Sequence, residues 1–95
     1  MRLAKPFIDL GLQTNQRESM LAFWGQTVGL EFEELLKVGG GTHQLRHQCN
    51  GSVFKLNHLR APLQDRPVSG YQGLILAEDS VDEPVTLVDP DGNRV

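Results

Sequence analysis

A single cysteine, Cys49, stands in a chain of 95 residues. It excludes an internal disulfide and fits a reducing compartment. Long apolar runs are also missing, so no segment is expected to span a bilayer as a helix. The opening residues lack the unbroken apolar core of a secretory signal, because Lys5, Pro6 and Asp9 interrupt it. Neither sign of charge dominates. Nine Lys and Arg against twelve Asp and Glu give a formal net charge of -3, with no general reason to expect nucleic acid or an anionic membrane as a partner. Together these absences predict a cytoplasmic protein. What remains is an ordinary composition, 39% hydrophobic and 22% charged, at a length that allows one domain with a small core.

The most informative stretch is Lys5–Phe32. Ile8, Leu10 and Leu12 alternate with Asp9, Gly11 and Gln13, the period of a strand with one dry and one polar face. At Asn15 the period changes. Asn15 as N-cap and Glu18 three residues later form a capping-box pattern, which predicts a helix from Gln16. Met20, Leu21, Phe23, Trp24 and Val28 give that helix an apolar stripe, and Gly29 before Leu30 marks its stop. Leu30–Val38 reads as the next strand, so the opening is β-α-β. The helix should cover Ile8, Leu10 and Leu12, leaving Asp9, Gly11 and Gln13 on the uncovered face.

Gly39–Gly41 reads as a flexible connection, since neither Lys-Ser nor Lys-Thr follows and no helix begins behind it to make a phosphate cradle. Asn50-Gly51 between Thr42–Cys49 and Ser52–Leu59 signals a two-residue hairpin. Its register pairs Cys49 with Ser52, His47 with Phe54, Leu45 with Leu56 and His43 with His58. The other face pairs Gln48 with Val53, Arg46 with Lys55 and Gln44 with Asn57. One face therefore carries core residues, and the other sets two cations side by side. Residues 60–70 read as a linker. Tyr71–Ala77 and Val85–Val88 read as further strands, separated by an acidic connection over Glu78–Pro84. Asp89-Pro90-Asp91-Gly92-Asn93 is a dense turn signal leading into a strand of which Arg94 and Val95 are present.

The helix ending in Phe23-Trp24 and followed by Val28-Gly29-Leu30 resembles the "FY…LGL" signature of the vicinal oxygen chelate superfamily. That superfamily comprises the glyoxalases, bleomycin-resistance proteins and extradiol dioxygenases. The turn at Asp89–Asn93 resembles its closing "DPDGN" motif. The resemblance implies an α+β fold: a complete βαβββ module over residues 1–59, the linker at 60–70, and a shortened second module over 71–95. The sheets would curl into a cup. Family enzymes usually bind a divalent metal there, but the carry-over is poor. The first-strand ligand position falls on Asp9 and the fourth-strand position near Lys55, whose ammonium has no lone pair to give. The second module's first ligand position falls near Tyr71 or Gln72, and the last falls beyond Val95.

The resemblance also places Asp9 near Lys55. A salt bridge there would neutralise the cup. Arg46 opposite Lys55 argues for more, because one carboxylate cannot compensate two cations and a bound anion could. His43, His47 and His58 share a face, but His43 and His47 are about 13 Å apart along the strand, too far for one ion. Ring packing at the core rim suits them better. Trp24 reads as core. Cys49 lacks an activating partner, and Glu33 and Glu34 read as solvated.

The expected function is a metal-independent small-molecule binder, in the manner of the family's drug-sequestering members. It would hold a polar or anionic ligand through Asp9, Gln13, Arg46, Lys55, Asn57 and Tyr71, with no cofactor, and would form a homodimer. The alternative is a divalent-metal-dependent lyase or dioxygenase whose site is completed across a dimer. A third reading is a module kept only for assembly.

Overall fold

The computed structural model describes residues 7–63, 71–77 and 82–95. The element order is β1 (Asp9–Thr14), α1 (Arg17–Ala22), a wider π-turn (Phe23–Thr27), β2 (Glu31–Lys37), β3 (His43–Cys49) and β4 (Ser52–His58). The strands form one mixed sheet in the order β1-β4-β3-β2. β1 runs parallel to β4, and the other neighbours are antiparallel. The fold is a small α+β arrangement of one sheet and one short helix.

The expected hairpin register is present at every pair from His43↔His58 to Cys49↔Ser52. Its cause is the turn. Asn50 and Gly51 both have positive φ, at 50° and 89°, which a two-residue turn of this hand requires. That pins which side chains face inward. Leu45, His47, Phe54 and Leu56 are buried on one face, joined by Leu12 and Thr14 of β1. Met20 and Trp24 cover them from the helix, with the Trp24 and Phe54 rings 4.3 Å apart and tilted by 34°. Such a ring pair contributes about 1 kcal/mol beyond the area it buries.

The helix differs from expectation at its start. It begins at Arg17 with Gln16 as the cap residue and no side-chain cap. Asn15 is drawn elsewhere. Its Nδ2 donates to the Leu59 and Ala61 carbonyls and its Oδ1 accepts from Leu63 N, tying the segment after β4 to the end of β1. Thr14 Oγ1 accepts from Gln16 N, so the last residue of β1 satisfies a donor at the turn into the helix. The helix end follows its glycine. Leu30 N donates to Trp24 O at 2.9 Å around Gly29, whose φ of 91° suits a residue without Cβ. The π-turn, closed by Val28 N donating to Phe23 O, lets Trp24 be buried while its neighbour Phe23 packs edge-on against it at 5.4 Å.

Two further expectations are corrected. Ile8 lies beyond the helix's cover and is 63% exposed. Tyr71–Ala77 and Val85–Val88 do not form strands. Their ladders are too sparse: Val88↔Arg94 is an isolated bridge, supplemented by paired bonds between Leu87 and Val95 and by Leu74 N donating to Arg94 O. The turn at Asp89 does send the chain back on itself as expected, pairing Arg94 and Val95 with Val88 and Leu87, and its Asp89 carboxylate is also bonded to Trp24 on the helix side. Most of the expected linker (residues 64–70) and part of the acidic connection (residues 78–81) lie outside the described residues.

Candidate functional site

The sheet face away from the helix collects the polar residues. Along β1 it carries Asp9, Gly11 and Gln13, and these lie beside Val53, Lys55 and Asn57 of β4. Gln44, Arg46 and Gln48 of β3 come next, followed by Glu31, Glu34 and Leu36 of β2. A period of two on four registered strands is enough to produce this face.

The charges on it are paired. Lys55 Nζ lies 3.1 Å from Asp9 Oδ2, as expected from the parallel β1–β4 neighbourhood. Arg46, however, has its own partner. Its Nε lies 3.8 Å from Glu34 Oε1, across the β2–β3 pair. The expectation of two cations sharing one carboxylate is thus corrected, and Glu34 is no bystander. Nor is Glu33, whose Oε1 accepts from Gln48 Nε2 at 2.6 Å. A β-bulge between Phe32 and Glu34 makes this possible, because it changes which β2 side chains face β3. The ion pairs are partly sheltered: the Lys55 and Arg46 side chains are 21% and 26% exposed. Pairs of this kind contribute about 0–1 kcal/mol each, so they set the charge pattern more than the stability.

Amides extend the network from Arg46. Arg46 Nη1 donates to Gln44 Oε1 at 3.3 Å, and Gln44 Nε2 donates to Asn57 Oδ1 at 3.1 Å. Gly11 gives Asn57 its place, because a Cβ there would come within 3.2 Å of Asn57 Nδ2. Asp9, Gln13, Arg46, Lys55 and Asn57 are therefore brought to one face by β1, β3 and β4. Gln44 and Glu34 complete the network.

Tyr71 does not join them. It packs against the core cluster on the helix side, and its hydroxyl donates to Arg94 O at 2.7 Å. Burial, followed by the nearby Asp89 carboxylate, raises its pKa, opposed in part by a hydrogen bond from the Leu74 backbone. The expectation that Tyr71 lines the polar face is corrected for the same reason that its strand is: the second region docks on the core instead of extending the sheet.

Asp89 is the anchor of that docking. It is buried, and its Oδ2 accepts from Trp24 Nε1 at 3.0 Å. Its Oδ1 accepts from the Asp91 and Asn93 backbone amides, and Asn93 Nδ2 reaches both oxygens. Gln16 Nε2 donates to Pro90 O and to Asp91 Oδ1, fixing the same turn to the helix start. These bonds make the turn structural.

Two other sequence candidates are resolved by position. His47 is fully buried between Phe32 and Phe54, both edge-on, with Nδ1 3.1 Å from Leu45 O and Nε2 without a partner. Burial lowers its pKa, more than the backbone contacts with Leu45 and Phe54 raise it. It therefore belongs to the core itself, not to its rim. Cys49 is half-buried beside the hairpin turn and packs against the core.

The metal chemistry implied by the resemblance does not fit this donor set. Among the described residues no group of three or more His, Cys, Asp or Glu could hold an ion, and Asp9 Oδ2 is engaged by the Lys55 ammonium. Nor is any helix among them long and apolar enough to cross a membrane. No family model, curated protein or solved structure matches the chain.

Proposed function

We propose that the chain is a small-molecule-binding protein of the vicinal oxygen chelate type, taking a polar ligand on the open sheet face without a metal. The observation that carries this reading is the set of Asp9–Lys55 and Glu34–Arg46 pairs, the second extended through Gln44 to Asn57, on a face that the helix leaves uncovered. Because each cation has a carboxylate, a net anion gains little there. A neutral or zwitterionic molecule with both donors and acceptors can exchange partners with the amides and the ion pairs at no net charge cost. The complex would be held by shape and a few placed polar groups.

The chain would act as a homodimer. Phe7 and Phe32, both about half-exposed and near the outer strands, supply apolar surface for a second copy. Sedimentation equilibrium tests this, and a monomer at all concentrations would remove it.

The ligand reading is tested by two-dimensional amide NMR during titration with a panel of neutral, zwitterionic and anionic aromatic compounds. Binding should shift the amides of Gln44, Arg46, Lys55 and Asn57 together, with zwitterions ahead of anions. Responses confined to Leu45, His47 and Phe54, or no saturable response from any compound, would sink the proposal.

A further inference from the structure

A second constellation lies at one end of the sheet, on the face that also carries the core. The topology gathers it. β1 and β4 are parallel and finish at this end, β2 finishes there with Lys37, and β3 starts there with His43. Register sets His43 between Lys37 on β2 and His58 on β4, all on one face. Arg17, the first residue of α1, brings Nη1 to 3.5 Å from His43 Nδ1. Arg60 follows β4, and its Cδ lies 3.6 Å from where a Cβ on Gly41 would stand, so its side chain runs along the glycine turn.

Three permanent cations and two imidazoles thus converge from different segments of a chain whose net charge is -3. No described carboxylate lies in ion-pair range of Arg17, Lys37 or Arg60, whereas both cations of the open face are paired. Arg17, His43 and His58 are half-buried, so water relieves their mutual repulsion only in part.

We propose that this corner binds the phosphate group of a small phosphomonoester, held by Arg17, Lys37 and Arg60 with His43 and His58 as additional donors. A phosphomonoester suits it better than a monocarboxylate, because a dianion with three acceptor oxygens can engage two guanidinium groups and an ammonium together. The imidazoles supply a readout. Burial first, then the charges of Arg17, Lys37, Arg60 and His58, hold the His43 pKa below its ordinary value. A bound dianion offsets those charges, so His43 should gain a proton more readily when the corner is filled.

The experiment is a histidine-resolved NMR titration with phenyl phosphate, using phenylsulfonate at matched ionic strength as the control. The expected result is an upward move of the His43 midpoint with phenyl phosphate alone, while His47 stays in place. R17Q and R60Q should each weaken binding about tenfold. Arg60 is exposed, so R60Q keeps its fold, which circular dichroism checks. Equal responses to the two anions, no response, or full affinity in both variants would overturn the proposal. Vesicles containing phosphatidic acid form a second arm. Binding to them without binding to phenyl phosphate would overturn the small-molecule assignment in favour of a lipid headgroup. Neither outcome bears on the open face, whose amides report separately.

Discussion

Residues 7–63 and residues 82–95 contain similar material, apolar runs broken by glycine-bearing turns, yet they are held in different ways. In the first region four registered strands share backbone ladders, shifted once by the bulge in β2, and bury Leu12, Leu45, Phe54 and Leu56 under Met20 and Trp24. In the second, backbone pairing is reduced to a bridge and a few bonds, and Val85 and Val88 stay exposed, as does Ile75 at 96% in the intervening piece. A groove of about 1580 Å³, lined by Leu30, Cys49, Leu74, Leu87 and Val95 among others, lies between the two regions. The first region is stabilised by apolar burial, whereas the second is fastened chiefly by one buried carboxylate. A turn rich in Asp, Gly and Asn can thus act as a latch when its first carboxylate reaches a buried indole.

The contrast can be broken most forcefully in the core. Leu56→Ala should cost about 3 kcal/mol and lower the stability of the whole chain, read as a shift in urea midpoint. Survival of the β3–β4 amides in hydrogen exchange would deny that the sheet is one unit. Asp89→Ala is expected to cost about 2 kcal/mol, because Trp24 Nε1 and the Asn93 and Asp91 amides lose their acceptor. Here exchange should quicken at Leu87 and Val95 while the hairpin keeps its protection. If both regions quicken together, the latch is part of the core and the distinction fails.

Acid should act on the two regions unequally. His47 is buried neutral with a lowered pKa, so the unfolded chain binds its proton more readily than the folded one. Its contribution is fully present above the ordinary value of 6.5 and is lost as pH falls from there through the lowered folded value. The first region should therefore loosen with acid. His47→Phe should flatten that slope, which thermal melts at stepped pH would reveal. The smallest effect is expected on the open face. Lys55→Met should change stability by less than about 1 kcal/mol, since a partly exposed ion pair contributes little, while weakening any ligand that uses Asp9 or Lys55. A large stability loss would recast the pair as structural.

Much of the first region was legible in the sequence, for local reasons. Asn50-Gly51 dictates a register, and alternation then assigns every β3 and β4 side chain to a face, which is why Arg46, Lys55 and Asn57 were placed correctly beside one another. The Asp9–Lys55 pair followed from the family resemblance, which set β1 against β4. What was not legible depended on contacts between distant segments. Glu34 reaches Arg46 through a bulge that no residue pattern near Phe32 announces. Asn15 looked like a cap because cap chemistry is local, but three backbone groups after β4 compete for its side chain and win. Tyr71 was misassigned for a related reason. Apolar alternation describes a strand wherever one pairs, and the bonds from Trp24 and Gln16 to the Asp89 turn are contacts between distant segments that alternation does not show.

The parallel pairing of β1 with β4 has a kinetic consequence. The β3–β4 hairpin closes over two residues, but Gly11 must find Lys55 across everything in between. Loop-closure entropy makes the first event fast and the second late. β1 should therefore be the last strand to join during folding, so the Asp9–Lys55 pair and the open face exist only once the chain has finished assembling.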